Sequence, residues 1–201
     1  MSLPNLEVIA RNLDSPTFQQ ARKLYVAKRG GVQYRAGPFS RYVENVDPRF
    51  AGTIFVEPTH VAKMAKVLGS EDLAVQGILI HEMGHYVYVE QNNATHPQPG
   101  NSVAAATHWC LMREAQASLF AYRVAKELKG KGKPGFVIAP THGVDIYHLM
   151  ADGEKHGRNL FTIARDVYAS DTEYTLFCRT HMTKIVQPIP RIQIHGKRPH
   201  R

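Results

Sequence analysis

The feature that most limits how this chain can fold is a long apolar segment that follows Ser70 and continues to about Glu90. Ser70 is a good N-cap for a helix, and the acidic residues Glu71 and Asp72 fall in the first turn, where the helix dipole favours them. Apolar residues then lie on several faces of the predicted helix: Leu73, Ile78, Ile80, Met83, Val87 and Val89. Such a helix is largely buried. The rest of the chain must therefore supply elements that surround it.

The buried segment carries two histidines and a glutamate in the order His81-Glu82-x-x-His85. Residues four positions apart project from one face of a helix, so both imidazoles can bind one Zn²⁺ ion. Glu82 is placed beside that ion, where it can accept a proton from bound water, whose pKa zinc lowers to about 7. The motif predicts His81 and His85 as metal ligands and Glu82 as the catalytic base. The alternative is that both histidines are ordinary helix residues, one in the core and one exposed.

A catalytic zinc ion needs a third protein ligand and leaves its fourth position to water. Glu114 is the best candidate, because it lies midway along a second predicted helix among small and apolar residues. A buried carboxylate needs a partner, and a zinc ion is such a partner. Asp145 and His148 are the alternatives, whereas Glu90 and His108 fall on other helix faces.

The motif His81-Glu82-x-x-His85, followed by Glu114 on a second helix, resembles the gluzincin group of the zincin superfamily of metallopeptidases. The metzincin extension needs a glycine and a histidine where this chain has Tyr88 and Gln91, so that class is excluded. The resemblance covers about residues 53–128. It implies two antiparallel helices that meet at the metal, and hydrolysis of peptide bonds by zinc-activated water.

Two further expectations follow from the resemblance. Many gluzincins have an aspartate four residues after the third ligand, and this chain has Ser118 there. A serine hydroxyl at this position can accept a hydrogen bond from the ring N–H of a zinc histidine. The resemblance also implies that the predicted strand from Thr53 to Glu57 is the sheet edge along which an extended substrate lies.

Caps, glycines and prolines divide the remaining chain into helices and short strands. We predict helices from Ser15 to Gly30, from about Ser102 to Leu128, from Val144 to Val167 with a break near Gly153 or Gly157, and from Glu173 to Met182, and strands at Val32–Tyr34, Thr53–Glu57 and Ile192–Ile194. The expected fold is α+β and zincin-like, with a small N-terminal mixed sheet, the active-site helix and a mostly helical C-terminal part. We expect one domain over residues 1–201, with a flexible basic tail at about 195–201.

The chain has 201 residues and a formal net charge of +8, which favours acidic partners. The basic residues are densest at Lys126–Lys133 and in the tail, which we interpret as a solvated loop and a solvated end. No signature of specific nucleic-acid binding accompanies the charge. No apolar run is long enough for a transmembrane segment, and the N-terminus does not resemble a signal peptide. We expect a cytoplasmic protein or one exported by a dedicated secretion system.

Several other residues receive simpler interpretations. Cys110 and Cys178 do not form a CxxC pair, and we expect two buried thiols, with one disulfide as the alternative in an oxidising compartment. Trp109 is expected to anchor the core. Tyr147 and His148 are candidates for stabilising the oxyanion of amide hydrolysis, with ordinary packing as the alternative.

Three functions are compatible with the sequence. The first is a zinc-dependent metallopeptidase that acts on a protein or peptide. The second is a peptidase toxin or effector that acts on cell-wall peptides or on a host protein, with an inhibitor or immunity protein as a potential partner. The third is a basic binding module whose metal site is vestigial. All three keep the predicted metal ligands and differ in what the site does.

Overall fold

The computed structural model describes residues 3–92, 97, 100–133 and 145–187. Within these residues the chain has the predicted α+β fold. Its helices are α1 (Leu6–Asn12), α2 (Pro16–Ala27), α3 (Pro58–Leu68), α4 (Glu71–Asn92), α5 (Val103–Gly130), α6 (Ile146–Lys155), α7 (Leu160–Ser170) and α8 (Thr172–Val186). Its strands are β1 (Gly31–Tyr34), β2 (Arg41–Val43) and β3 (Thr53–Val56). The predicted strand at 192–194 and the basic tail lie outside the described residues.

The long helices begin where their capping residues predict. The hydroxyl oxygen of Ser15 accepts a hydrogen bond from the Phe18 N–H at the start of α2. Ser70 does the same for the first turn of α4, and Ser102 for the first turn of α5. Each hydroxyl satisfies one of the N–H groups that a helix start leaves without a partner.

Three short elements were not expected from the sequence, namely α1, α3 and β2. Helix α3 begins at Pro58, directly after the predicted strand Thr53–Glu57. A proline is well suited to the first position of a helix, and the Glu57 carboxylate caps this one by accepting a hydrogen bond from the His60 N–H. The interpretation of Lys126–Lys133 as a loop is partly wrong, since α5 continues to Gly130.

The small sheet is mixed, as predicted, but its edge is not where the resemblance placed it. The strand order is β1-β3-β2, with β1 parallel and β2 antiparallel to β3. Thr53–Val56 is therefore the central strand, and its backbone groups are engaged on both sides. The edge that faces the candidate site is β2, where the Tyr42 N–H points away from β3 and donates to Glu82 of α4.

Helix α4 is the buried centre of the molecule, as its apolar sequence predicts. Ala74, Val75 and Ile80 have no exposed surface. The helix contacts α1, α2, α3, α5 and the strands β2 and β3. At Gly84 the crossing with α5 is so close that a Cβ atom would lie 2.7 Å from the Cα atom of Ala117. The glycine inside the HExxH motif thus allows the two helices to touch.

Cys110 and Cys178 form a disulfide bond, so the expectation of two buried thiols is wrong. The bond joins α5 to α8, and the two Cα atoms are 5.8 Å apart. The cysteines are 68 residues apart in the sequence, and only the packing of α8 against α5 brings them together. The number and spacing of the cysteines could not indicate this pairing.

The helical C-terminal part follows the prediction closely. The predicted helix from Val144 to Val167 is interrupted between α6 and α7, where Gly157 has a positive φ of 64°. Among the described residues, no helix is long and apolar enough to span a membrane.

Candidate metal centre

The two long helices bring His81, His85 and Glu114 together in the interior. His81 and His85 lie one turn apart on α4, and Glu114 faces them from α5. The Nε2 atom of His81 is 3.1 Å from Oε2 of Glu114, and the Nε2 atom of His85 is 3.4 Å from Oε1. The side chains of His81, His85 and Glu114 are only 12%, 7% and 15% exposed. The structure thus assembles the three side chains that the sequence predicts as ligands.

The spacing of these atoms fits a metal ion. Zinc binds nitrogen and oxygen at about 2.0–2.2 Å in a tetrahedron, which separates neighbouring ligand atoms by about 3.3–3.5 Å. The two His–Glu distances are close to this value, and one donor atom from each of the three residues lies within 4.8 Å of the others. The group can therefore hold a metal ion after small side-chain movements.

Two buried nitrogen atoms of the histidines at the site have no hydrogen-bond partner among the described residues. They are the Nδ1 atoms of His81 and His85. Ser118 was expected to pair with one of the histidines, but its hydroxyl lies 2.9 Å from the hydroxyl of Tyr168. That expectation is wrong because the serine lies one turn further along α5 and faces α7 instead of α4.

Tyr174 of α8 completes the surroundings of Glu114. Its hydroxyl lies close to the Glu114 carboxylate and favours the charged form of that group. Burial raises the pKa of Glu114, but the neighbouring His85 and His81 and the Tyr174 hydroxyl outweigh it and lower the pKa to about 2. Glu114 is thus an anion at neutral pH, which is the form that binds a cation.

The two histidines differ in their electrostatics. Burial lowers the pKa of His85 to about 3, so its ring is neutral and its nitrogen lone pair is available to a metal. Burial also lowers the pKa of His81, but the hydrogen bond and charge of Glu114 outweigh burial and raise it above the ordinary value. A neutral imidazole is the form that coordinates a metal, so metal binding displaces any proton that His81 shares with Glu114.

Glu82 lies beside this group and is buried. Its Oε2 atom accepts a hydrogen bond of 2.7 Å from the Tyr42 N–H. Burial and the charge of Glu114 raise the pKa of Glu82 to about 7, against the opposing effect of His81. A carboxyl group with this pKa can both accept and release a proton near neutral pH.

The four side chains open into one cavity of about 380 Å³. Its walls are aromatic and come from separate parts of the chain: Phe39, Tyr42, Trp109, Tyr168, Tyr174 and Phe177. Phe39 and Phe177 meet edge to face with ring centroids 5.3 Å apart. Arg41 and Arg113 add positive charge. Trp109, which was expected in the core, is half-buried and forms part of this wall.

The alternative ligands lie elsewhere. Asp145 and His148 are exposed and form their own pair, with Nδ1 of His148 2.9 Å from Oδ2 of Asp145. Glu90 pairs with Lys28, and His108 is exposed on α5. None of the four lines the cavity.

The oxyanion candidates are likewise not at the site. Tyr147 packs against Tyr122, with ring centroids 5.2 Å apart, and His148 pairs with Asp145. Neither residue lines the cavity.

Sequence analysis missed Tyr42, Arg113 and Tyr174. The sequence did offer an indication for Arg113, because it lies four residues after Trp109 and the two side chains therefore project from the same face of α5. That face lines the cavity. Tyr42 and Tyr174 carried none, since both reach the site only through tertiary packing.

The chain matches no known protein-family model, no curated protein and no solved structure. The interpretation of the site therefore depends on its own residues. These residues form a buried His-His-Glu group that can hold a metal ion.

Proposed function

We propose that the protein is a zinc-dependent metallopeptidase of the zincin type, with His81, His85 and Glu114 as metal ligands. The observation that carries this proposal is the convergence of the three donor groups within 4.8 Å, next to the buried carboxylate of Glu82 and in an open cavity. A purely structural metal site would be closed by a fourth protein ligand. Here, among the described residues, the group has three members and borders a cavity large enough for part of a peptide.

Each residue has a distinct role in the proposed reaction. A bound Zn²⁺ ion supplies Lewis acidity, which polarises a carbonyl group and lowers the pKa of water. Glu82 accepts the proton of the attacking water and later delivers it to the leaving amine. The Tyr174 hydroxyl supports the charged Glu114 carboxylate, and aromatic side chains line the cavity around the site.

Strand β2 borders the cavity, and its residues Arg41 and Tyr42 line it. Glu82 engages the outward N–H of Tyr42, so a substrate does not pair with this strand through that group. A peptide in the cavity would lie beside Glu82 and the metal ligands.

The first experiment measures the metal content of the purified protein by mass spectrometry. We expect about one zinc ion per wild-type chain after zinc loading, and loss of the ion in His81→Ala and in Glu114→Ala. His108→Ala is the matched control, because this exposed histidine lies on the same helix as Glu114. Zinc-loaded wild type without metal would disprove the peptidase and favour a non-catalytic module.

The second experiment tests the general base. Glu82→Gln keeps an acceptor for the Tyr42 N–H but cannot take a proton. We expect this variant to retain zinc and to cleave a mixture of unstructured peptides at least about 100-fold more slowly than wild type. Wild-type cleavage rates in Glu82→Gln would contradict the assigned mechanism.

A further inference from the structure

Arg113 is a second polar centre in the cavity, separate from the metal ligands. It lies on α5, next to Glu114 in the sequence, and its guanidinium carbon is 4.9 Å from the centroid of the Trp109 ring. Its side chain is only 13% exposed. Arg113 lines the same cavity as the metal ligands and Glu82. A buried cation thus faces the same space as the proposed reaction.

The hydrogen-bonding capacity of Arg113 is incompletely used. Its nearest acid is Glu44, and the shortest distance between their charged atoms, from Nη1 to Oε1, is 3.7 Å. This distance is too long for a hydrogen bond. The Nε atom is buried and has no hydrogen-bond partner among the described residues. The Arg113 side chain also lines the cavity, so a ligand there can offer its guanidinium group the acceptor that Glu44 does not provide.

The chemistry of the missing acceptor follows from the guanidinium group. Its planar fork of N–H donors matches the two oxygen atoms of a carboxylate. The Trp109 ring fixes the plane of the fork, so little conformational freedom is lost on binding. Among the described residues, the cavity is lined by two acidic side chains, Glu82 and Glu114, and the proposed reaction uses both. A further carboxylate in this cavity must therefore come from the bound molecule.

We propose that Arg113 determines specificity by binding a carboxylate of the peptide substrate close to the scissile bond. This inference rests on the proposed function. The carboxylate belongs either to an acidic side chain or to the C-terminus of the peptide. Both sources present the same group to the guanidinium, and neutralising each carboxylate separately distinguishes them.

The test uses binding without turnover, so that it does not depend on catalysis. Trp109 is the single tryptophan of the chain, and its fluorescence reports on the space around Arg113. Four acetylated alanine-based peptides are titrated into the zinc-loaded Glu82→Gln protein. They carry either a C-terminal carboxylate or an amide, and either one aspartate or one asparagine. We expect peptides that carry the carboxylate recognised by Arg113, either the C-terminus or the aspartate, to bind about 10- to 100-fold more tightly than their neutral counterparts.

Substitution of Arg113 should remove this preference. In Arg113→Gln we expect the charged peptide to bind as weakly as the neutral one, with unchanged zinc content and unchanged binding of the neutral peptide. Arg113→Lys keeps the charge but not the fork, and should retain only part of the preference. Arg35→Gln is the matched control, since Arg35 is an exposed arginine 4.8 Å from the Phe55 ring centroid and does not line the cavity.

Three outcomes would overturn the proposal. One is an equal loss of affinity for the charged and the neutral peptides in Arg113→Gln, which would assign the residue a structural role beside Glu44. Another is loss of the preference in Arg41→Gln alone, which would transfer recognition to the other arginine of the cavity. The third is equal affinity of the Glu82→Gln protein for charged and neutral peptides, which decides the question even if Arg113→Gln does not fold. Absence of zinc from every protein would instead disprove the proposed function and leave the carboxylate preference measurable.

Discussion

Glu114 is held by groups from two helices other than its own. The imidazoles of His81 and His85 approach it from α4, and the Tyr174 hydroxyl approaches it from α8. A metal ligand that is fixed before the metal arrives loses little freedom on binding, and outer contacts of this kind typically contribute a factor of 10–100 to metal affinity. The hydroxyl of Tyr174 is therefore as much a part of the site as the ligands.

We predict that Tyr174→Phe lowers zinc affinity by about 10- to 100-fold while the protein stays folded. The phenyl ring keeps the aromatic wall, so the change removes only the hydroxyl group close to Glu114. Competition with a fluorescent zinc chelator measures the affinity. Tyr147→Phe is a suitable control, because Tyr147 does not line the cavity. Equal affinities of Tyr174→Phe and wild type would exclude a role for the hydroxyl in holding the ligand.

The sequence predicted the His-His-Glu group because its geometry is mostly local. Two histidines one helical turn apart share a face whatever surrounds them, and a carboxylate among small residues on the next helix has few other partners. The partner of Ser118 could not be predicted in this way. Which face of α5 turns toward Tyr168 depends on how α7 packs, and no spacing in the sequence encodes that contact.

At the level of helices, Gly84 decides how closely α4 and α5 approach. A methyl group there would meet the Cα atom of Ala117 at 2.7 Å and its carbonyl oxygen at 2.9 Å. Ala117 follows Glu114 by about one turn, so a displaced α5 also moves the ligand. Gly84 has no donor atom, yet it sets the distance between the two halves of the metal group.

We predict that Gly84→Ala lowers the free energy of unfolding by about 1–3 kcal/mol through overpacking, and also reduces zinc content. Chemical denaturation and mass spectrometry measure the two effects. Gly130→Ala is the matched control, because a Cβ atom at the end of α5 meets no atom within 4 Å. That variant should keep its zinc and change stability by no more than about 1 kcal/mol. A fully metallated Gly84→Ala protein of normal stability would show that the helix contact is not limiting.

A carboxylate from helix α5 also caps the N-terminal end of helix α2. The Glu127 carboxylate accepts hydrogen bonds from the Ser15 and Thr17 hydroxyls and from the Thr17 N–H. Burial raises the pKa of Glu127, but these hydrogen bonds outweigh it and hold the pKa below its ordinary value. A lowered pKa in the folded state stabilises the protein above the unfolded-state pKa. This stabilisation is lost as the pH falls through the folded-state pKa.

We predict that Glu127→Gln destabilises the protein by about 1 kcal/mol at pH 7 and by less at pH 2.5. Urea denaturation of both proteins at the two pH values measures the difference. Glu7→Gln is the control, since it removes only an exposed ion pair with Arg22 and should change stability by less than about 0.5 kcal/mol. A destabilisation that is the same at both pH values would mean that the charge of Glu127 does not act through this cap.

Elements with strong local signals were predictable, and short ones were not. Ser15 with Pro16, and Ser70 with Glu71, indicate helix starts that depend on local capping and not on tertiary contacts. Helix α1 has seven residues and β2 has three, and such elements gain most of their stability from what they pack against. The position of β2 at the sheet edge could not be predicted either, because strand order depends on contacts that are distant in the sequence.

At the scale of the whole molecule, the Cys110–Cys178 bond ties the C-terminal helices to the centre. Cys110 lies one turn before Glu114 on α5, and Cys178 lies one turn after Tyr174 on α8. The bond therefore fixes the two helices next to the contact between Tyr174 and Glu114. It also closes a loop of 68 residues, which restricts the unfolded chain.

We predict that the double substitution of both cysteines by serine lowers the free energy of unfolding by about 2–5 kcal/mol. Thermal and chemical denaturation measure the loss. Wild type treated with a reductant serves as the control and should unfold like the variant. If the variant is as stable as the oxidised wild type, the bond does not restrict the unfolded chain as expected.

The hydrogen bond between Tyr42 and Glu82 also bears on how separate copies of the chain behave in solution. An edge strand with free N–H groups can pair with the edge of another molecule, which leads to aggregation. In this protein β2 is only three residues long, and a buried carboxylate occupies the outward N–H of Tyr42. The side chain proposed to activate water thus also protects the sheet from self-association. A variant made to abolish catalysis should therefore carry glutamine at position 82, because alanine would leave this edge uncovered.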